Sequence, residues 1–191
     1  IAAIRQSNIK RLLAYSSIGH VGYVLIGLVS FNQAGVKGAA IYMLVYLFMN
    51  IAIFSILLSL KFESKYIDKI EDLSGLSKSK PILSLFIAII MLSMAGIPPF
   101  AGFFGKFYIF ISALNAELYY LAILGVISSV IAAYYYLRII KVMYFDKEKE
   151  KYDTDHSLWL KFSLTVSTIL ILLYFIFPSQ LIEVVSRINI I

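Results

Sequence analysis

MLSMAGIPPFAGFFGKFYIF, residues 91–110, lies inside an apolar region that runs from Pro81 to Leu114 and is too long for one simple membrane span. Pro98 and Pro99 supply no backbone N–H, and their rings clash with carbonyls one turn back. Pro98 also precedes a proline, which pushes it out of the α region. Gly96 and Gly102 permit whatever dihedrals a break requires. The pattern predicts a helix that stops near Gly96 and restarts near Phe100 or Ala101. Irregular backbone at membrane depth is tolerated only where it is buried in protein or lines a hydrated cavity. Two prolines flanked by two glycines exceed what a proline kink needs. The expectation is therefore a discontinuous helix of the kind that marks ion or substrate sites in transporters.

The composition around this stretch is that of a membrane protein. The 191 residues are 61% hydrophobic and 15% charged, with mean hydropathy +0.87. A soluble domain is about 45–50% apolar and about 25% charged. The absence of cysteine excludes thiolate metal sites, iron–sulfur ligation and disulfides from this sequence. Its two histidines, His20 and His156, make no histidine-rich metal site. The net charge of +6 is read as Lys and Arg gathered in cytoplasmic loops, not as a nucleic-acid surface. No signal peptide is seen at Ile1, and the chain reads as a fragment that starts inside a longer protein.

Outward from the broken stretch, four further apolar runs approach the roughly 20 residues a helix needs to span the bilayer. They are 12–31, 39–60, 118–145 and 158–177, the last closed by Pro178. Counting 81–114 as one crossing puts the basic residues of the first entry, 61–80 and 138–161 on one side. Lys37 and Arg187 are left on the other. The fold class is thus all-α: a single transmembrane bundle over 1–191, five crossings in all, the third broken at Gly96–Phe100. Its N-terminal end is cytoplasmic. Between the second and third crossings, 61–80 reads as a mixed-charge loop.

Lys106 is the residue most apt to carry chemistry. A lysine at mid-span costs roughly 2.5–3.5 kcal/mol on insertion scales. Snorkelling toward the surface near Asn115 is the bland explanation. Phe103, Phe104, Phe107 and Tyr108 offer no polar route outward along this helix, so a proton-transfer role is preferred, with the positive end of the restarted half-helix close by. His20 is the other strongly ionisable group within a span, one helical turn after Ser16. It reads equally as a packing histidine or a proton relay. Tyr42, Tyr46 and Asn50 recur at i, i+4 and i+8, so one face of the second span is polar. With Ser16 they form a candidate polar path, or join helices by hydrogen bonds. Tyr134–Tyr136 in the fourth span read as an interfacial aromatic belt. No Asp or Glu lies inside any span, and no phosphate-loop or dinucleotide motif occurs.

NIKRLLAYSSIGHVGYVLIGL (8–28), LSMAGIPPFAGFFGKFYIF (92–110) and YYYLRIIKVMYF (134–145) together resemble the antiporter-like membrane subunits of respiratory complex I, the NADH–quinone oxidoreductase. The resemblance implies a protein of fourteen helices with two inverted five-helix repeats, each holding one broken helix. The present sequence would be its last five helices. Lys106 falls at the family's lysine of the second broken helix. The M-type group carries glutamate there, and the L-type group a serine-lysine-acid sequence. Gly105-Lys106-Phe107 is most like the bacterial N-type group, equivalent to mitochondrial subunit 2. The resemblance further implies proton translocation in a bacterial inner membrane (the mitochondrial inner membrane being the alternative). It implies partners among other membrane-arm subunits and no cofactor in this chain, with FMN, iron–sulfur clusters and quinone held by the partner subunits. Two other readings stand beside it: a subunit of a multisubunit Na⁺/H⁺ antiporter, and a non-pumping structural subunit.

The five-crossing arrangement predicts an asymmetry in labelling. Cysteines placed at Ser64 and Ser179 fall on opposite sides, so an impermeant thiol reagent applied to intact cells should label Ser179→Cys and spare Ser64→Cys. Equal labelling of both contradicts the arrangement.

Overall fold

The computed structural model describes residues 2–62, 65–147, 152–154 and 158–176. Ser64, His156, Pro178, Ser179, Glu183 and Arg187 lie outside these described residues. A 3₁₀ turn (Ala2–Arg5) leads into α1 (Ile9–Val29), whose first turn is capped by the Asn8 side chain accepting the Arg11 N–H at 3.0 Å. That cap satisfies one of the N–H groups a helix start leaves unpaired.

The second helix, α2 (Gln33–Ser59), begins earlier than the apolar run suggests. Residues 32–37, which fall between the first two apolar runs, form its cap and first turn. The cause is Asn32, whose side chain accepts the Gly35 N–H at 2.7 Å and donates to the Ser112 carbonyl at 3.1 Å. One asparagine both starts α2 and docks it.

The stretch expected as a loop, 61–80, is folded. It contains β1 (Leu60–Phe62), β2 (Lys65–Tyr66), a 3₁₀ turn (Ile70–Leu73) and α3 (Leu76–Ser79). A third strand, β3 (Tyr152–Thr154), completes an antiparallel sheet of order β2-β1-β3, with Lys61 paired to Tyr66 and to Asp153. Hydropathy identifies charge here but misses the buried anchors Ile67, Ile70, Leu73 and Leu76. Four apolar residues hold a charged segment against the bundle.

The discontinuous helix is present as α4 (Pro81–Ala95) and α5 (Ala101–Asn115). Each has 15 residues, which at about 1.5 Å per residue is some 22 Å, short of the ~30 Å hydrocarbon core. In series they exceed it. Two further helices follow, α6 (Tyr119–Phe145) and α7 (Leu158–Ile176). α1, α2 and α6 are each long and apolar enough to cross a membrane.

α2 is the hub. It packs against α1, α4, α5 and α7, while α6 closes over α1, α4 and α5. The interior is filled by Met49, Ile53, Ile56 and Leu57 of α2, Ile87, Ile90 and Met91 of α4, and Ile139 and Met143 of α6. Outward faces carry Ile18 and Leu25 on α1 and Ile123, Leu124 and Val130 on α6. That inversion of a soluble surface is what a lipid environment accepts.

The segments that the charge count groups on one side meet at one end of the bundle. Asn8 bridges to Lys69, Ile9 N–H donates to the Asp68 carbonyl at 2.8 Å, and Lys10 pairs with Asp68 at 2.6 Å. Arg138 donates to the Ile4 and Gln6 carbonyls, and the Tyr152 hydroxyl to the Ser74 carbonyl.

At the break the two half-helices touch. Gly102 N–H donates to Ser93 Oγ at 3.0 Å, and a Cβ at Gly102 would collide with the Ser93 backbone carbonyl. Gly102→Ala should therefore force the halves apart and cost about 1–3 kcal/mol, the usual range for overpacking a tight site. Gly22→Ala on α1, where a Cβ meets nothing within 4 Å, should be nearly neutral. Thermal melting of the detergent-solubilised variants checks this; equal melting temperatures would contradict the contact.

Candidate functional site

The site begins with a count of backbone donors at the end of α4. The last carbonyls of any helix lack intrahelical partners. Here Gly96, at φ 81°, turns the chain so that its N–H meets the Leu92 and Ser93 carbonyls and the Ile97 N–H meets Leu92. The next two donors in an unbroken helix, at i+4 from Met94 and Ala95, would come from residues 98 and 99. Both are proline and have no N–H to give. Met94 and Ala95 are left facing the gap with buried, electron-rich oxygens.

Lys106 fills that gap. Side chains on a helix lean toward its N-terminus, so a lysine six positions into α5 reaches back to the break. Its Nζ donates to the Met94 carbonyl at 3.0 Å, the Ala95 carbonyl at 3.0 Å and Ser129 Oγ of α6 at 2.9 Å. An ammonium has three donors, and all three are used. The Tyr23 ring lies 4.7 Å away, presenting the negative face that attracts cations. Lys106 is only 3% exposed. Snorkelling toward Asn115 is not what this side chain does.

The lean that carries the ammonium back toward the start of α5 also brings it, across the break, against the carbonyl end of α4. That end is the negative pole of a helix dipole, where a cation is favoured.

A second cluster surrounds His20, 3% exposed. Its Nδ1 is 2.6 Å from the Tyr42 hydroxyl and its Nε2 is 2.8 Å from the Tyr136 hydroxyl. The Tyr46 ring stacks on the imidazole at 4.3 Å. Ser16 Oγ is hydrogen-bonded to the Tyr136 hydroxyl and accepts from Tyr135 at 3.1 Å. Tyr135, Ser16, Tyr136, His20 and Tyr42 therefore form one hydrogen-bonded run across α6, α1 and α2. A neutral imidazole has one donor and one acceptor nitrogen, so one phenol gives it a hydrogen bond and the other receives one. Tyr23 stands between this run and Lys106, edge-on to His20 at 6.1 Å and to Tyr42 at 6.0 Å.

Of the sequence candidates, Ser16, His20, Tyr42 and Tyr46 come together here. Asn50 lies a turn further on, donating to the Tyr46 carbonyl at 2.9 Å and adjoining its phenol. Gly96, Pro98, Pro99 and Gly102 shape the break beside Lys106. The aromatic-belt expectation fails for two of its three tyrosines. Tyr134 is 60% exposed, but Tyr135 and Tyr136 are buried and bonded inside the bundle. Adjacent residues on a helix diverge by about 100°, so a tyrosine triplet cannot share one face.

Tyr135 and Tyr136 were read from sequence as belt residues, and Tyr23 and Ser129 were not singled out as site residues. The backbone oxygens of Met94 and Ala95 could have been, four residues before each proline. Among the described residues no cluster of His, Asp or Glu is suited to a metal ion.

Comparison with known proteins places this geometry. The chain is 63% identical, over all 191 residues, to the NADH-quinone oxidoreductase subunit N of Pelagibacter ubique, covering 41% of that protein. It is 49% identical over 181 residues to the same subunit of Paramagnetospirillum magneticum, covering 95% of this chain and 37% of that one. The chain thus spans about two fifths of the length of the curated relatives it matches. It also superposes on a chain of respiratory complex I from Thermus thermophilus with a TM-score of 0.81 at 31% identity, covering 95% of this chain and 41% of that one. Residues 1–132, which hold α1, α2, the broken helix and its lysine, match the model of the NADH:quinone oxidoreductase/Mrp antiporter transmembrane family. A mostly helical membrane bundle with this match, and with these relatives, belongs to that family.

Proposed function

We propose that this chain is part of a proton-translocating membrane-arm subunit of NADH–quinone oxidoreductase, in which Lys106 takes up and releases a proton during turnover. The observation that carries the reading is the Lys106 ammonium, buried at a helix break whose two prolines leave carbonyls for it. A charge in hydrocarbon is expensive, and a fold that builds a cradle for one has a use for it. The subunit N relatives support the assignment to complex I.

In this reading the His20 run is the polar path on one side of Lys106. Ser16, Tyr42, Tyr46 and Asn50 belong to it or border it, and a proton moves by reversing hydrogen bonds along the phenols and the imidazole. The break at Gly96, Pro98, Pro99 and Gly102 keeps the path open at membrane depth. NADH oxidation and quinone reduction belong to partner subunits carrying FMN, iron–sulfur clusters and quinone. The other membrane-arm subunits and the lipid of a bacterial inner membrane are this chain's neighbours. The family also includes Mrp antiporters, so exchange of Na⁺ for H⁺ is the second reading; ΔpH formation that requires Na⁺ but not quinone would favour it.

Lys106→Ala removes the titrating group and should lower proton translocation by roughly tenfold or more, as loss of a positioned acid–base group does. Lys106→Arg keeps the charge, but a guanidinium stays protonated at accessible pH. It should assemble and remain impaired. The measurement is quinone reduction and ΔpH formation in membrane vesicles, normalised to assembled complex. Wild-type rates in both variants would remove Lys106 from the mechanism and leave a structural subunit.

A further inference from the structure

Ser129 is the one member of the Lys106 cradle whose hydrogen-bonding role can be reversed. We propose that it is a positioning residue that keeps the Lys106 nitrogen seated in both its charged and neutral forms, its hydroxyl changing from acceptor to donor as the lysine loses its proton. The proposal rests on the reading of Lys106 as a proton carrier.

The cradle has three acceptors for three N–H groups: the Met94 carbonyl at 3.0 Å, the Ala95 carbonyl at 3.0 Å and Ser129 Oγ at 2.9 Å. Ser129 Oγ also lies 3.3 Å from the Ala95 carbonyl, to which its own O–H is directed. The charged state is thus fully bonded. When one proton leaves, the amine keeps two N–H groups and gains a lone pair. The two carbonyls can only accept, and they take the two N–H groups. The lone pair then needs a donor. Tyr23 offers the nitrogen the face of its ring, and a ring face has no proton to give.

A serine hydroxyl both donates and accepts. Rotation about the Ser129 Cβ–Oγ bond swings its O–H from the Ala95 carbonyl to Nζ, with no movement of backbone. The Ala95 carbonyl keeps its N–H from the lysine throughout. Every polar atom is paired before and after the proton leaves. The Tyr23 phenol lies beside Ser128 and Ser129, so the reversal also reaches the residue that separates Lys106 from the His20 run.

Without the hydroxyl, the ammonium has an unmade N–H and the amine an unmet lone pair, each a buried polar group left unsatisfied. The test uses the full-length subunit in its assembled complex. Ser129→Ala should lower the rate of ΔpH formation roughly threefold to tenfold, and Ser129→Thr, which keeps the hydroxyl, should stay within about twofold of wild type. In a Lys106→Ala background, Ser129→Ala should cost nothing further in residual quinone reduction, because a residue acting through Lys106 has nothing left to act on. A wild-type rate for Ser129→Ala, an equal loss in Ser129→Thr, or a full additional loss in the double variant overturns the proposal. A wild-type rate for Lys106→Ala alone overturns the reading beneath it instead.

Discussion

Two carbonyl oxygens without helix donors organise this molecule. Pro98 and Pro99 occupy the positions that would return N–H groups to Met94 and Ala95, and the chain must find another donor for both or leave them bare in an apolar interior. A buried unsatisfied carbonyl costs on the order of 1–3 kcal/mol, and two of them are a large fraction of a typical net stability. The Lys106 ammonium meets both at 3.0 Å. The need is mutual, since an ammonium without acceptors is costlier still. The broken helix and the buried lysine are one feature, each accounting for the other.

The packing around the break follows from that pairing. For Lys106 to reach back, α5 must restart close against α4, which the absent Cβ of Gly102 permits. Ser129 brings α6 to the third donor of the ammonium, and Tyr23 brings α1 to its open face. Three elements converge on a single nitrogen. Beyond Tyr23, His20 ties α1 to α2 through Tyr42 and to α6 through Tyr136. Polar contacts thus fix the relative placement of helices whose apolar surfaces alone would pack in many registers, a role hydrogen bonds play between membrane helices.

Much of this was legible in the chain. Hydropathy located the long helices, and the glycine and proline spacing located the break to within a residue or so. Lys106 and the polar face of Tyr42 and Tyr46 stood out as polar groups in apolar surroundings. What escaped was contact between elements far apart in sequence. Ser129 is an ordinary serine until α6 is laid beside the break. Tyr135 and Tyr136 resemble interfacial tyrosines until Ser16 and His20 are opposite them. The segment 61–80 failed for a different reason: its apolar anchors are separated by charges, so average polarity concealed a small sheet and two short helices. Asn32 shows the same limit at one residue, since a side chain that caps one helix and docks on another has no signature in hydropathy.

The measurement that bears most directly on the account is proton translocation in a Pro98→Ala/Pro99→Ala double variant. Two alanines restore the N–H groups that Met94 and Ala95 lack, let the helix close through the break, and leave the lysine without its backbone partners. The account predicts that the complex still assembles and that ΔpH formation per quinone reduced falls sharply. Translocation equal to wild type in the assembled double variant would mean that the break is only a bend in a helix, and that the carbonyls it exposes play no part in what Lys106 does.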